Sequence, residues 1–245
     1  LDAIAKERSG MNLDDRGLLK SIIAMLLELG RADYAAAVYQ QDFELAFLGT
    51  TQEFYHTESL QYLSQSTAAG YVKKATARLE EETKRSTALQ LPATTEGPLL
   101  HILQTEWIER HARTLVDMEA TGFRALLLDD RHNEMLAMYD LFVRVPQSVD
   151  YLRDALAETI KACGKQLIAD QETGQSDPPA FVRGVLELRE KHETIVQESF
   201  RGEKKTIKRL RESFEDFLNA DARAASCLAV YVDEYWHLGY EARAN

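Results

Sequence analysis

Two residue pairs in this 245-residue chain have the spacing of metal ligands. Glu53 and His56 are three apart, and so are Glu234 and His237. A glutamate followed one helical turn later by a histidine is how di-iron carboxylate proteins hold metal inside a bundle. Such ligands must point inward, because the metal takes the place of apolar core. At roughly 100° per residue, Phe43, Phe47 and Phe54 fall within about 40° of one another and define a buried stripe. Relative to Phe54, Glu53 sits about 100° and His56 about 160° round the helix. Both are therefore expected on a solvated face, although Leu60 and Leu63 lie nearer the His56 side. Leu228, Tyr231, Tyr235 and Leu238 set the line around the second pair, and Glu234 and His237 fall off it by the same angles. If the helix restarts after Gly49, Thr50 and Glu53 form a capping box.

Other candidate chemistry is sparse. His111 and His192 lie on apolar stripes, which suits hydrogen-bonded core histidines. There is no G-x-S-x-G, H-E-x-x-H or glycine-rich phosphate loop. The run KKTIKRLR (204–211) is followed at once by Glu212, Glu215 and Asp216, with Ile207 and Leu210 turned to the core. It reads as a solvated amphipathic face, as does LEEETKR (79–85) with its helical ion pairs. The formal charge of −11 opposes a nucleic-acid surface, which needs clustered Lys and Arg. No catalytic, cofactor-binding or metal-ligating residue is assigned, and no cofactor.

The elements that would position these residues are helical. Glycine (12) and proline (5) are scarce, and no sustained alternation or Asn-Gly turn marks a strand. Residues 12–30 are predicted helical with Leu18, Ile22, Met25 and Leu29 on the buried face, followed by a linker at 31–37. Helix 69–91 aligns Tyr71, Ala75, Leu79 and Glu82. A break runs from Pro92 to Pro98. Beyond it Leu100, Leu103, Trp107, His111, Leu115 and Met118 recur until Thr121-Gly122. A helix over 133–145 aligns Leu136, Tyr139 and Phe142, and Pro146 ends it. Ser148 then starts a helix along Val149, Leu152, Leu156, Ile160, Cys163 and Leu167. After a surface loop at 170–179, helices follow at 180–200, 203–219 and 222–238. About ten helices with mostly short connections imply an all-α stack or bundle. The 22–29 run is too short for a bilayer and is interrupted by Glu28. Cys163 and Cys227 read as buried free thiols of a reducing compartment. Opening at Leu1 suggests an excised piece of a longer chain, expected in the cytoplasm or nucleus.

Tyr39-x-x-x-Phe43-Glu44-x-x-Phe47-Leu48, then Phe54-Tyr55-x-x-Glu58-Ser59, is similar to a motif of the cullin family. So are Tyr71-Val72-Lys73-Lys74 with Arg78-Leu79-x-Glu81-Glu82-x-x-Arg85, and Met138-Tyr139-x-Leu141-Phe142-x-Arg144-Val145. Ser199-Phe200 leading to Phe214-Glu215-x-Phe217-Leu218-Asn219 is a fourth match, in family order. ERSGMNLDDRG (7–17), Val145-Pro146 and Gly164-Lys165-Gln166-Leu167 are most similar to the cullin-3 type, which takes BTB-domain adaptors. The chain departs from the family pattern at Ser148, Arg201-Gly202-Glu203 and Asp233-Glu234-Tyr235-Trp236.

The resemblance implies stacked cullin repeats forming an elongated stalk, with the second repeat at 1–145 and part of the third at 146–245. It implies a non-catalytic scaffold segment of a cullin–RING ubiquitin ligase. Adaptors and the RING-box protein would bind mainly outside these residues, so no family site residue is carried over. A helical-repeat peptide-binding module, with Tyr55 and Trp236 as exposed aromatics, is the second reading. A metal-dependent bundle enzyme is the third.

Overall fold

The structure is a computed structural model that describes residues 1–11, 16–29, 36–172, 177–220 and 224–233. Its described residues are mostly helical, with no strand among them. They form two compact units, one of Leu1–Leu115 with Leu141–Ser148, the other of Val116–Asp140 with Val149–Asn245.

The first unit begins with α1 (Asp2–Arg8) and α2 (Arg16–Leu29). A short α3 (Ala36–Tyr39) runs through a wide turn, Gln40–Glu44, directly into α4 (Leu45–Gln65). The amide of Leu45 reaches five residues back to the carbonyl of Gln40, so this turn holds one residue more than an α-turn. A stripe at spacing four drifts about 40° per step on a regular helix, and the wide turn takes up part of that drift. The rings of Tyr39, Phe43 and Phe47 consequently stay in a row, 5.5 and 5.3 Å apart. The buried face continues as Thr51, Tyr55 and Ser59.

That face differs from the expected one at a single position with a large consequence. Tyr55, not Phe54, carries the stripe onward, and Phe54 is half-buried. The helix does not restart after Gly49. The Thr50 hydroxyl donates to the carbonyls of Ala46 and Phe47, so no capping box forms. The expected face of α2 is also overturned: Leu18, Ile22, Met25 and Leu29 are exposed, while Ile23 is buried and Leu19, Leu26 and Leu27 are half-buried. Apolar residues occupy two stripes of this helix, and periodicity alone cannot say which one packs.

α5 (Ala68–Leu89) buries Tyr71, Ala75, Leu79 and Glu82, the expected line. The Thr67 hydroxyl caps it by accepting from the Gly70 amide at 3.2 Å. The break after it is shorter than expected. α6 (Ala93–Gln104) already starts at Ala93 and carries Pro98 inside. A second wide turn, Thr105–Glu109, closed by the Arg110 amide on the Thr105 carbonyl, leads towards α7 (Ala112–Asp117). α4 packs against α5 and α6. Between them the Tyr71 ring lies 5.2 Å from Trp107, and its hydroxyl donates to the Trp107 carbonyl.

The second unit takes in α8 (Phe123–Leu128), α9 (His132–Phe142) up to Asp140, α10 (Ser148–Glu172) from Val149, α11 (Pro178–Ser199) and α12 (Lys204–Asn219). Residues 224–233 are also helical. Asp177 caps α11 by accepting from the Ala180 amide at 2.7 Å, with two prolines in the first turn where their missing N–H costs nothing. Phe200 is wholly buried, edge-on to Phe123 and 5.2 Å from Tyr139. Arg153 of α10 binds both carboxylate oxygens of Glu203, which also accepts from Thr206.

At Gly164 the α10 backbone presses on the Phe217 ring, and an added Cβ would come within 2.5 Å of it. Gly164→Ala should therefore destabilise the second unit by about 1–3 kcal/mol, read from its urea midpoint. At exposed Gly49 a Cβ meets no described heavy atom within 4 Å. Gly49→Ala should stabilise the first unit by about 1 kcal/mol through helix propensity.

Candidate functional site

Two carboxylates without access to water organise the polar interior of the first unit. Glu82 of α5 is 0% exposed. Arg8 of α1 forms a salt bridge with it through Nη2, and its Nε lies 3.3 Å from the other oxygen. The Tyr55 hydroxyl donates to Glu82 Oε2 at 2.5 Å, and Arg85 pairs with the same oxygen. Arg8 Nη2 also donates to Thr51 Oγ1 at 2.9 Å, while Arg85 faces Glu7 at 3.3 Å. The Arg8 guanidinium lies 5.2–5.7 Å from the ring centres of Phe47, Phe54 and Tyr55, within cation–π range. Burial first, and then the Glu82 charge, push the Tyr55 hydroxyl far above the usual phenol range, so it stays a donor. Arg78 ties this cluster outward. It donates to the Arg8 carbonyl at 3.1 Å and to Glu58 and Glu81.

The second carboxylate, Glu106, lies in the wide turn after α6 and is 1% exposed. His56 Nδ1 is 3.0 Å and Arg110 Nε 2.9 Å from its Oε2, and Gln52 donates to Oε1 at 3.3 Å. His56 thus belongs to a buried carboxylate rather than to a wholly solvated face. His56 lies at the expected helical angle, but α6 and the turn after it cover part of that side, while Leu60 is exposed and Leu63 half-buried. Glu53 is exposed as expected and does not meet His56 on a common ligand position. The Glu234/His237 pair and Trp236 lie outside the described residues. Among the described residues, no three His, Cys, Asp or Glu side chains converge on a point that could hold a metal ion.

Both core histidines are where the stripes placed them. His111 Nε2 is 3.2 Å from Ser59 Oγ, and His192 Nδ1 is 2.8 Å from the Leu188 carbonyl, which leaves that nitrogen as the donor. Burial lowers the pKa of each below the ordinary imidazole value. Cys227 is buried and Cys163 half-buried, both free. In 204–211, Lys204, Lys205, Lys208 and Arg211 are exposed and Leu210 is buried, the amphipathic face expected, with Ile207 only half-buried.

Two further expectations fail here. Tyr55, offered as an exposed aromatic for peptide binding, is 0% exposed. The charged string 79–85 is not uniformly solvated, since Glu82 and Arg85 are buried. A signal for Glu82 did exist, because it continues the line Tyr71–Ala75–Leu79. Nothing in the sequence around Arg8 announces its partner 74 residues away. Among the described residues, no helix is long and apolar enough to cross a membrane.

Comparison with known proteins gives this architecture its relatives. The family model described as the Cullin alpha solenoid domain matches residues 1–243. The chain is 36% identical over 234 residues to Cullin-3A of Arabidopsis thaliana, covering 96% of this chain and 31% of that protein. It is 30% identical over 234 residues to Cullin-3 of Dictyostelium discoideum, covering 96% and 30%. With Cullin-2 of Arabidopsis thaliana it shares 30% identity over 253 residues, covering 98% and 34%. The chain thus spans about a third of the length of the relatives it matches.

Removing the charge at Glu82 leaves two buried guanidinium groups short of an anion. Glu82→Gln should cost about 3–5 kcal/mol in chemical denaturation, whereas Glu193→Gln, at the exposed Arg189 pair, should change stability by less than about 0.5 kcal/mol. The neutral histidines set a pH dependence. Their folded pKa values lie below 6.5, so the unfolded chain binds more protons, and stability falls as pH drops from about 6.5 through the lowered values. Unfolding midpoints at pH 7.5 and 5.5 should differ less in His111→Gln and His192→Gln variants than in the parent chain.

Proposed function

This chain belongs to the cullin family, and we propose that it is a non-catalytic scaffold segment of a cullin–RING ubiquitin ligase. The observation that carries the reading is the solenoid-domain match across residues 1–243, with cullin-3 proteins among the relatives. The packing agrees with it. Tyr39, Phe43, Phe47, Tyr55, Tyr71 and Phe200, which carry the family motifs, are all buried in helix–helix contacts.

In this reading residues 1–145 are the second cullin repeat and 146–245 part of the third. The segment acts by geometry: it spaces a substrate adaptor, of the BTB class, from the RING-box protein and its ubiquitin-conjugating enzyme. Both partners bind the parent chain mainly beyond these residues, and the complex works in the cytoplasm or nucleus. Stacked helices suit that task because each layer contacts only its neighbours and passes position along the array.

Deleting this segment from the full-length parent should leave adaptor and RING-box binding intact while abolishing ubiquitin transfer to an adaptor-bound substrate. Transfer that survives the deletion would overturn the spacer role. Capture of an isolated BTB or RING-box protein by this chain alone would overturn the placement of partner sites outside it.

A further inference from the structure

Arg8 enters the first unit as a ligand enters a receptor. α1 is seven residues long, far too short to be helical on its own. Its buried residues are Ile4 and Arg8. The socket that receives the Arg8 guanidinium is built entirely by α4 and α5. Glu82 offers both carboxylate oxygens, Thr51 offers a hydroxyl oxygen at 2.9 Å, and three aromatic rings wall the site.

Each wall is held by something other than Arg8. Tyr55 is fixed by its hydrogen bond to Glu82 and by edge-on packing against Phe54, with ring centres 5.1 Å apart. Thr51 Oγ1 also donates to the Phe47 carbonyl, which leaves its lone pairs turned to the guanidinium. Arg85 also pairs with Glu82, through a bond that does not involve Arg8. Each wall of the socket thus has a contact of its own besides Arg8.

Its chemistry is selective. A carboxylate that takes two parallel N–H donors, set among aromatic faces, fits a flat and weakly hydrated guanidinium. A compact, strongly hydrated ammonium ion gains less from both features. We propose that α4 and α5 form a guanidinium-binding site, with Arg8 as its resident ligand, and that occupancy of this site straps α1 to the first unit. A vacated socket takes a free guanidinium ion in place of the arginine side chain. This inference does not depend on the ligase reading.

The test uses the full chain carrying Arg8→Ala, heated with millimolar methylguanidinium or methylammonium. Methylguanidinium should raise the melting temperature of the variant saturably, by about 2–4 °C. Methylammonium should not, and the parent chain should respond to neither. A folded variant that responds to both cations alike, or to neither, would overturn the proposal. If Arg8→Ala does not fold, Arg8→Lys keeps a cation in the socket without the planar fork. Hydrogen exchange of the α1 amides should then be at least about tenfold faster than in the parent, with α5 unchanged. Unaltered α1 protection would equally refute the strap.

Discussion

A carboxylate removed from water must find its counter-charges inside the protein, and Glu82 places that demand at the centre of the first unit. Its burial follows from helical geometry, because it continues the packed line Tyr71–Ala75–Leu79 of α5. Once Glu82 is buried, Arg85 one turn on, Tyr55 of α4 and Arg8 of α1 are drawn to it. Three helices are thereby held in one register. The second unit has a smaller version of the same device, in which Arg153 of α10 grips Glu203 just before α12. Apolar stripes are tolerant of sliding by a fraction of a turn. A two-oxygen, two-nitrogen grip is not, which is what such pairs add to a helical array.

The aromatic residues play the complementary part. They supply most of the largest fully buried side chains, and their spacing carries the resemblance to cullins read from the sequence. Rows such as Tyr39–Phe43–Phe47 need a helix that stays in phase over several turns of spacing four, and the wide turn at Gln40–Glu44 supplies the adjustment. The same device recurs at Thr105–Glu109, where it delivers Glu106, Trp107 and Ile108 to the interior together. Three consecutive buried residues are more than one face of a regular α-helix presents to one neighbour. Scaffolding by geometry, the role proposed for this segment, relies on such packing rather than on any reactive group.

Much of this was legible from local pattern, and the failures share a cause. The stripe of α5 and the burial of His111 and His192 are local consequences of period and residue type. The stripe Phe43–Phe47–Phe54 leaves Tyr55 off the packed side, yet Tyr55 is the buried neighbour. The Tyr55 hydroxyl is satisfied by Glu82, 27 residues away, which no local rule anticipates. His56 was placed by angle on a solvated face, yet the turn after α6 brings Glu106 to it from 50 residues on. In α2 the two apolar stripes were equally plausible by periodicity, and the one chosen was the exposed one.

By itself, then, the sequence determined the all-helical class and the position of most helices, because helix periodicity is a property of neighbouring residues, and its aromatic motifs carried the resemblance to cullins. Tertiary structure alone decided which polar side chains became interior: Glu82 with Arg8, Arg85 and Tyr55, and Glu106 with His56 and Arg110. The physical reason is that burying a charge is unfavourable unless its partners arrive in the right geometry, and here some of those partners come from helices far away along the chain.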